Sequence, residues 1–80
     1  PLAAIWQRTL KALALPSTRM LLSQQARLEA LRPNRLGDLV AVVMVAPDWL
    51  PMVQSREALV ISALVAAVGR PVCLVLEAGR

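Results

Sequence analysis

The sequence contains no histidine, tyrosine or phenylalanine, and only one of its 80 residues is a cysteine. Without histidine, a serine or cysteine nucleophile has no imidazole to act as its base. A single cysteine excludes an internal disulfide. The five carboxylates are scattered along the chain, whereas a metal site needs clustered ligands. These absences predict a domain with no catalytic residues, no metal and no cofactor.

The chain also lacks the segments that bind phosphates or cross membranes. Its three glycines are isolated, and Lys11 does not follow a glycine as the lysine of a phosphate-binding loop does. The longest run without a charged residue, 58–69, is far shorter than the about 20 apolar residues of a membrane-spanning helix. We therefore expect no small-molecule ligand and no membrane contact. The lone cysteine indicates a reducing, cytoplasmic setting, and the start at Pro1 suggests a piece of a longer protein.

Apolar residues make up 58% of the chain, and nearly all are aliphatic, so their spacing predicts the elements. The predicted helices cover residues 2–15, 18–26 and 49–68, and the predicted strands cover residues 27–32, 39–46 and 72–77. Pro16 is expected to end the first helix, since a residue before proline avoids helical geometry. Ser17 and Asp48 are expected to cap the second and third helices, and Gly69 to end the third.

The order α-α-β-β-α-β predicts one α+β domain over residues 1–80, with a three-stranded mixed sheet packed with three helices that cover mainly one face of the sheet. The first two strands form an antiparallel hairpin, and the crossover helix makes the third strand parallel to the second. The very apolar strand 39–46 is expected to be central or buried on both faces. Cys73 is expected to be a small core residue. The order is K-homology-like, but the GXXG loop that clamps nucleic acid in those modules is missing.

The net charge of +4 is concentrated in the first half of the chain. Residues 1–40 carry the basic side chains Arg8, Lys11, Arg19, Arg27, Arg32 and Arg35 against the acidic Glu29 and Asp38. This imbalance favours an acidic partner or weak, salt-sensitive contact with nucleic acid. A solvated surface that keeps an apolar domain in solution explains it equally well. The scarcity of aromatic residues argues against stacking on bases.

Two tryptophans begin predicted helices, Trp6 and Trp49. Each can complete the core, and each can be an exposed anchor for a partner, since Trp and Arg dominate binding hot spots. The polar run 54–57 within the third predicted helix can likewise be a solvated face or a contact patch.

Several short motifs resemble the C-terminal domain of the gamma/tau subunit of bacterial DNA polymerase III, especially its cyanobacterial branch. They are W-x3-L-x2-L from Trp6, STR from Ser17 leading into LLSQQARL, VAPDWLPMVQSR from Val45, and GRPV from Gly69. The same plan resembles the N-terminal domain of the replication initiator DnaA, which recruits the helicase and self-associates. The clamp-loader resemblance implies a parent with an AAA+ ATPase region. It also implies that this chain has no enzyme activity or ATP site of its own.

The resemblance implies a protein–protein interaction domain that tethers the polymerase core or the replicative helicase in the replisome. The alternatives are a DnaA-like helicase-recruiting or self-associating domain, a weak basic nucleic-acid-binding module, and a spacer with no partner. Candidate contact residues are the two tryptophans, basic residues of the first two helices and the matched polar positions: Trp6, Arg8, Lys11, Arg19, Gln24, Gln25, Trp49, Gln54, Ser55 and Arg56.

Overall fold

The computed structural model describes residues 1–79, which form four helices, a short 3₁₀ turn and three strands. In chain order these are α1 (Leu2–Ala12), α2 (Pro16–Gln25), β1 (Ala26–Pro33), β2 (Leu39–Val45), the 3₁₀ turn Pro47–Trp49, α3 (Leu50–Gln54), α4 (Glu57–Val68) and β3 (Val72–Ala78). The α+β class and the three-stranded mixed sheet expected from the sequence are confirmed.

The strand order is β1-β2-β3, with β2 in the centre. β1 pairs with β2 antiparallel, and β2 pairs with β3 parallel, as the hairpin and crossover predict. The pairing of β1 shifts between Leu28 and Ala30, so Glu29 is an extra residue in the edge strand. Such a bulge, together with Pro33 at the strand's end, discourages further pairing along that edge.

The two faces of the sheet differ in burial. On β2, Ala41, Val43 and Val45 are fully buried, whereas the alternate residues Val40, Val42 and Met44 are only partly buried. Side chains alternate between faces along a strand, so one face packs under the helices and the other stays open. We call these the inner face and the outer face. The expectation of burial on both faces of this strand is therefore wrong, although its central position is correct.

The core on the inner face is almost entirely aliphatic. Its buried residues come from helices and strands alike: Trp6, Leu10, Leu13, Leu22, Leu28, Ala41, Val43, Val45, Val53, Val60, Ala63, Leu64 and Val72. Cys73 lies outside this core and is exposed, because it follows Val72 on β3 and so points to the outer face. The expectation that Cys73 is a core residue is wrong.

The bounds of the first two helices differ from the predicted 2–15 and 18–26. α1 ends at Ala12, and α2 begins at Pro16, the first helical position, where a proline loses no hydrogen bond. The residue before it, Leu15, is extended, as expected for a residue that precedes proline. Ser17 makes no capping bond, so the predicted serine cap is wrong.

The long helix expected over residues 49–68 is instead two helices. The segments Pro47–Gln54 and Glu57–Val68 meet at 85°, with the break at Ser55 and Arg56. In an unbroken helix Glu57 would lie between Val53 and Val60 on the buried stripe, because these positions are three and four residues apart. The bend leaves Glu57 exposed while Val53 and Val60 both stay buried. Asp48 lies in the 3₁₀ turn and makes no capping bond.

Two glycines adopt the left-handed backbone conformation. Gly69 has φ +83° and ends α4, as predicted, and Gly37 has φ +83° in the hairpin loop. That loop is ordered by Asn34, whose side-chain oxygen accepts hydrogen bonds from the amides of Leu36 and Asp38.

Within residues 1–79 no single helix is long and apolar enough to span a membrane. The bent pair Pro47–Gln54 and Glu57–Val68 reaches the required length and composition only in combination.

Candidate functional site

α2 and α3 present three large apolar side chains to solvent. Met20 on α2 is 63% exposed, Met52 on α3 is 42% exposed, and Trp49, immediately before α3, is 38% exposed. Between them lies a shallow cavity of about 320 Å³, which we call the Trp49 groove. The groove is lined by Ser17, Met20, Leu21, Gln24, Gln25, Trp49, Met52 and Arg56.

Two prolines and one buried valine determine the path of the chain beside the groove. Pro47 and Pro51 fix φ at the start of the 3₁₀ turn and of α3, where first-turn amides need no helical acceptor. Val53 anchors α3 in the core. With Val53 buried, the neighbouring Met52 is directed away from the core and into the groove.

Trp49 separates the groove from a second, larger cavity. This cavity of about 510 Å³ lies at the end of the sheet and is lined by Gln24, Gln25, Ala26, Arg27, Ala46, Asp48, Trp49 and Gly79. The indole therefore has surface on two sides, and Gln24 and Gln25 border both cavities. A partly exposed tryptophan with a polar rim is typical of an interaction surface.

Arg56 lines the groove and also bonds to a buried residue beneath its surface. Its Nη1 donates a hydrogen bond of 2.8 Å to Oγ1 of Thr18, a side chain that is 1% exposed on α2. The bond joins the break after α3 to α2 and gives a buried hydroxyl its partner. Ser55 bonds locally, from Oγ to the Met52 carbonyl at 2.6 Å. Arg56 therefore holds two helices together, and its head group is only partly available to a partner.

Arg19 likewise joins two helices, α2 and α1. Its Nε and Nη2 donate hydrogen bonds of 2.9 and 2.7 Å to the carbonyls of Leu10 and Leu13. These carbonyls lie at the end of α1, where a positive charge is favoured. The Leu10 carbonyl also accepts a hydrogen bond of 3.2 Å from the amide of Leu13. Arg19 thus caps α1 from the neighbouring helix.

The other predicted contact residues are distributed over the surface. Trp6 is 6% exposed in the core, so it offers a partner little surface. Arg8 and Lys11 are exposed on α1, and Gln54 is exposed on α3. A third cavity of about 510 Å³ between α1 and α2 brings Lys11 and Arg19 together, and it shares Met20 and Gln24 with the Trp49 groove. Of the ten candidates, the groove joins Gln24, Gln25, Trp49 and Arg56.

Sequence reasoning missed Met20 and Met52, which supply much of the apolar surface. Met20 falls in the apolar run 20–22, where composition alone does not distinguish the exposed residue from the buried one. A signal was present, since successive residues on a helix point about 100° apart. Thr18 and Leu22, four residues apart, take the buried side, and Met20 between them must point outward.

Among residues 1–79 no group of three potential metal ligands occurs. The ion pair between Arg27 and Glu29, at 3.0 Å, lies on the exposed edge strand. The Trp49 groove is therefore equipped for packing against apolar side chains.

The family comparison covers nearly the whole chain. Residues 1–78 match the family model described as STICHEL, DnaA_N-like alpha-beta domain. No curated protein and no solved structure matches.

This match overturns the assignment to the clamp-loader gamma/tau subunit. The STR and QSR motifs behind that assignment contain Arg19 and Arg56, which hold helices together. Such residues report a shared packing plan and do not separate the two families. The sequence's other resemblance, to the N-terminal domain of DnaA, fits the match, and the chain belongs to the STICHEL, DnaA_N-like alpha-beta domain family.

Proposed function

We propose that this domain is a protein-binding module of DNA replication that captures its partner in the Trp49 groove. The observation that carries the proposal is the joint exposure of Met20, Trp49 and Met52 around one cavity. Domains of the DnaA_N-like kind belong to a replication-related family, which supports a partner in the replication machinery. The replicative helicase is the first candidate, because DnaA-type N-terminal domains recruit it.

The groove fits an apolar helix face or a short apolar segment of the partner. Methionine is unbranched and polarizable, so Met20 and Met52 can adjust to different side chains. Trp49 supplies a rigid anchor, and Gln24 and Gln25 supply hydrogen-bonding groups at the rim. Burial of the two methionines and the indole on binding would supply most of the affinity.

This role requires no chemistry from the chain itself. We propose that the domain is not an enzyme and acts by tethering, in the cytoplasm where its partners work. In the alternative role, the exposed Arg8 and Lys11 of α1 bind nucleic acid electrostatically. Binding of that kind would weaken steeply with salt, whereas capture in an apolar groove would depend little on salt.

The test is a titration of the purified replicative helicase with the wild-type domain and the variants Met20→Glu and Met52→Glu. Each places a charge in the groove at an exposed position, so the fold should survive. We expect each variant to bind at least about tenfold more weakly. A tenfold change corresponds to about 1.4 kcal/mol of binding free energy, and substitution of a hot-spot residue typically costs more than that. Ala66→Glu, on the exposed side of α4, is the matched control.

Arg19→Glu and Arg56→Glu are unsuitable, because both would break bonds that hold helices together. Equal binding by the wild type and both groove variants would refute the proposal. So would the finding that only Arg8→Glu and Lys11→Glu reduce binding.

A further inference from the structure

The cavity between α1 and α2, which we call the basic cavity, continues across α2 into the Trp49 groove. Neighbouring stripes of α2 line the two cavities, Pro16, Arg19 and Ser23 on one side and Ser17, Leu21 and Gln25 on the other. Met20 and Gln24 are four residues apart, so they lie on one side of the helix, and they border both cavities. One surface therefore runs from α1 across α2 to α3.

This surface is positively charged at its α1 end. Lys11 and Arg19 line the basic cavity, and within residues 1–79 no acidic side chain lines either the basic cavity or the groove. The sequence explains this, because the first acidic residue of the chain is Glu29, after α1 and α2 have ended. Arg19 is held by two bonds to α1 carbonyls, which leaves its remaining N–H donors for a ligand.

The opposite end of the surface is less favourable for an anion. Asp48 lines the cavity at the end of the sheet, next to the groove, and Arg27 in that cavity is already paired with Glu29 at 3.0 Å. The guanidinium of Arg56 is followed in the chain by the exposed carboxylate of Glu57. The charges therefore give the surface a direction, with its anion-binding end at α1.

We propose that the partner segment captured in the Trp49 groove crosses α2 and places the carboxylate of an Asp or Glu against Lys11 and Arg19. The inference rests on the proposed function and specifies the chemistry of the partner. The two cavities flank α2, so they are separated by roughly 10 Å, the diameter of a helix. The acidic residue should then be about seven residues from the apolar ones in a helical segment, or about three in an extended one.

The acidic contact selects the partner and its direction more than it adds affinity. Arg19 is positioned before binding, so it loses little side-chain freedom when it pairs with a carboxylate. Lys11 and Arg19 are both exposed, and exposed ion pairs contribute little binding energy. We therefore expect the contact to change affinity only several-fold and to leave the salt dependence shallow, while the apolar side chains of the groove supply most of the affinity.

Titration of the purified replicative helicase with charge variants of the domain tests the acidic contact. Lys11→Glu should weaken binding about fivefold, since it replaces an attraction with a repulsion. Arg8→Glu makes the same charge change on α1 outside both cavities, so this matched control should bind like the wild type. Ser23→Glu, which adds a negative charge to the basic cavity, should also weaken binding. Its control is Ser62→Glu on the exposed side of α4.

The outcomes distinguish failure of this inference from failure of the proposed function. If Met52→Glu weakens binding but Lys11→Glu and Ser23→Glu do not, the groove captures its partner without an acidic contact, and the inference is wrong. If none of the three weakens binding, the proposed function is wrong as well. Equal losses for Lys11→Glu and Arg8→Glu, with a steep dependence on salt, would also overturn the inference and would indicate nucleic acid on α1.

Overlapping peptides that cover the helicase sequence test the spacing and the charge of the partner segment. A captured peptide should carry an Asp or Glu about seven residues from its apolar side chains if it is helical, or about three if it is extended. Replacement of that residue by lysine should weaken capture by the wild-type domain and strengthen capture by Lys11→Glu, because the exchange restores opposite charges. No recovery in the exchanged pair would overturn the contact.

Discussion

Arg56 shows how a charged side chain that looks like a contact can belong to the packing of a domain. In the sequence it lies within the polar run 54–57, which is typical of a solvated patch. The structure directs its guanidinium to Thr18, a buried residue 38 positions earlier in the chain. No local pattern could reveal this, because the acceptor lies on another helix. The same holds for Arg19, whose acceptors belong to α1.

The Arg56–Thr18 bond should therefore appear as energetic coupling in a double-mutant cycle. Arg56→Met keeps much of the aliphatic stem but leaves the Thr18 hydroxyl buried without a partner, which should cost about 1–3 kcal/mol in the free energy of unfolding. Thr18→Val should cost less in the Arg56→Met background than in the wild type, by at least about 0.5 kcal/mol. Urea unfolding measures all four species, with Arg8→Met as a surface control. Strictly additive effects would show that the bond contributes nothing to stability.

Among the elements, those fixed by local chemistry were predictable and those fixed by distant contacts were not. β2 and β3 were located to within a residue, because their apolar runs are bounded by glycine, proline and charged residues. The parallel pairing follows from the crossover rule. The break between α3 and α4 was missed, because the polar run 54–57 was consistent with one solvated face of a continuous helix. The spacing nevertheless held a signal, since Glu57 lies four residues after Val53 and three before Val60, both of which are buried. Apolar spacing continues across a bend when both segments bury residues in the same core.

The end of α4 offers a test of an element that the sequence did predict. Gly69 has φ +83°, and among residues 1–79 nothing lies within 4 Å of a Cβ built on it. Gly69→Ala should therefore destabilise by backbone strain alone, by about 1–2 kcal/mol in the free energy of unfolding. Gly69→Asn should cost less, since asparagine tolerates the left-handed region better. Equal losses for Ala and Asn in urea unfolding would mean that something other than φ sets the cost.

At the scale of the whole molecule, the helices cover one face of a small sheet, so the surface consists of a helical side and an open sheet face. The Trp49 groove lies on the helical side, where α2 and α3 pack above the inner face, and the outer face lies opposite. Most of this layout was predictable, since the expectation that helices cover mainly one face is correct. The Trp49 groove was predictable only in part. The sequence indicated Trp49, Gln24 and Gln25 as contact residues, but it also indicated Trp6, which is buried, and arginines that hold helices together. Exposure of Met20 and Met52 depends on how α2 and α3 pack.

If the Trp49 groove captures an apolar segment of its partner, binding should depend little on ionic strength. The affinity of the wild-type domain for the replicative helicase should be nearly the same at low and high salt, because apolar packing is not screened. Met52→Glu should bind weakly under both conditions, since Met52 lines the groove. Biosensor titrations of the two proteins at each salt concentration provide the measurement. A steep loss of wild-type affinity with salt would instead indicate electrostatic contact through Arg8 and Lys11.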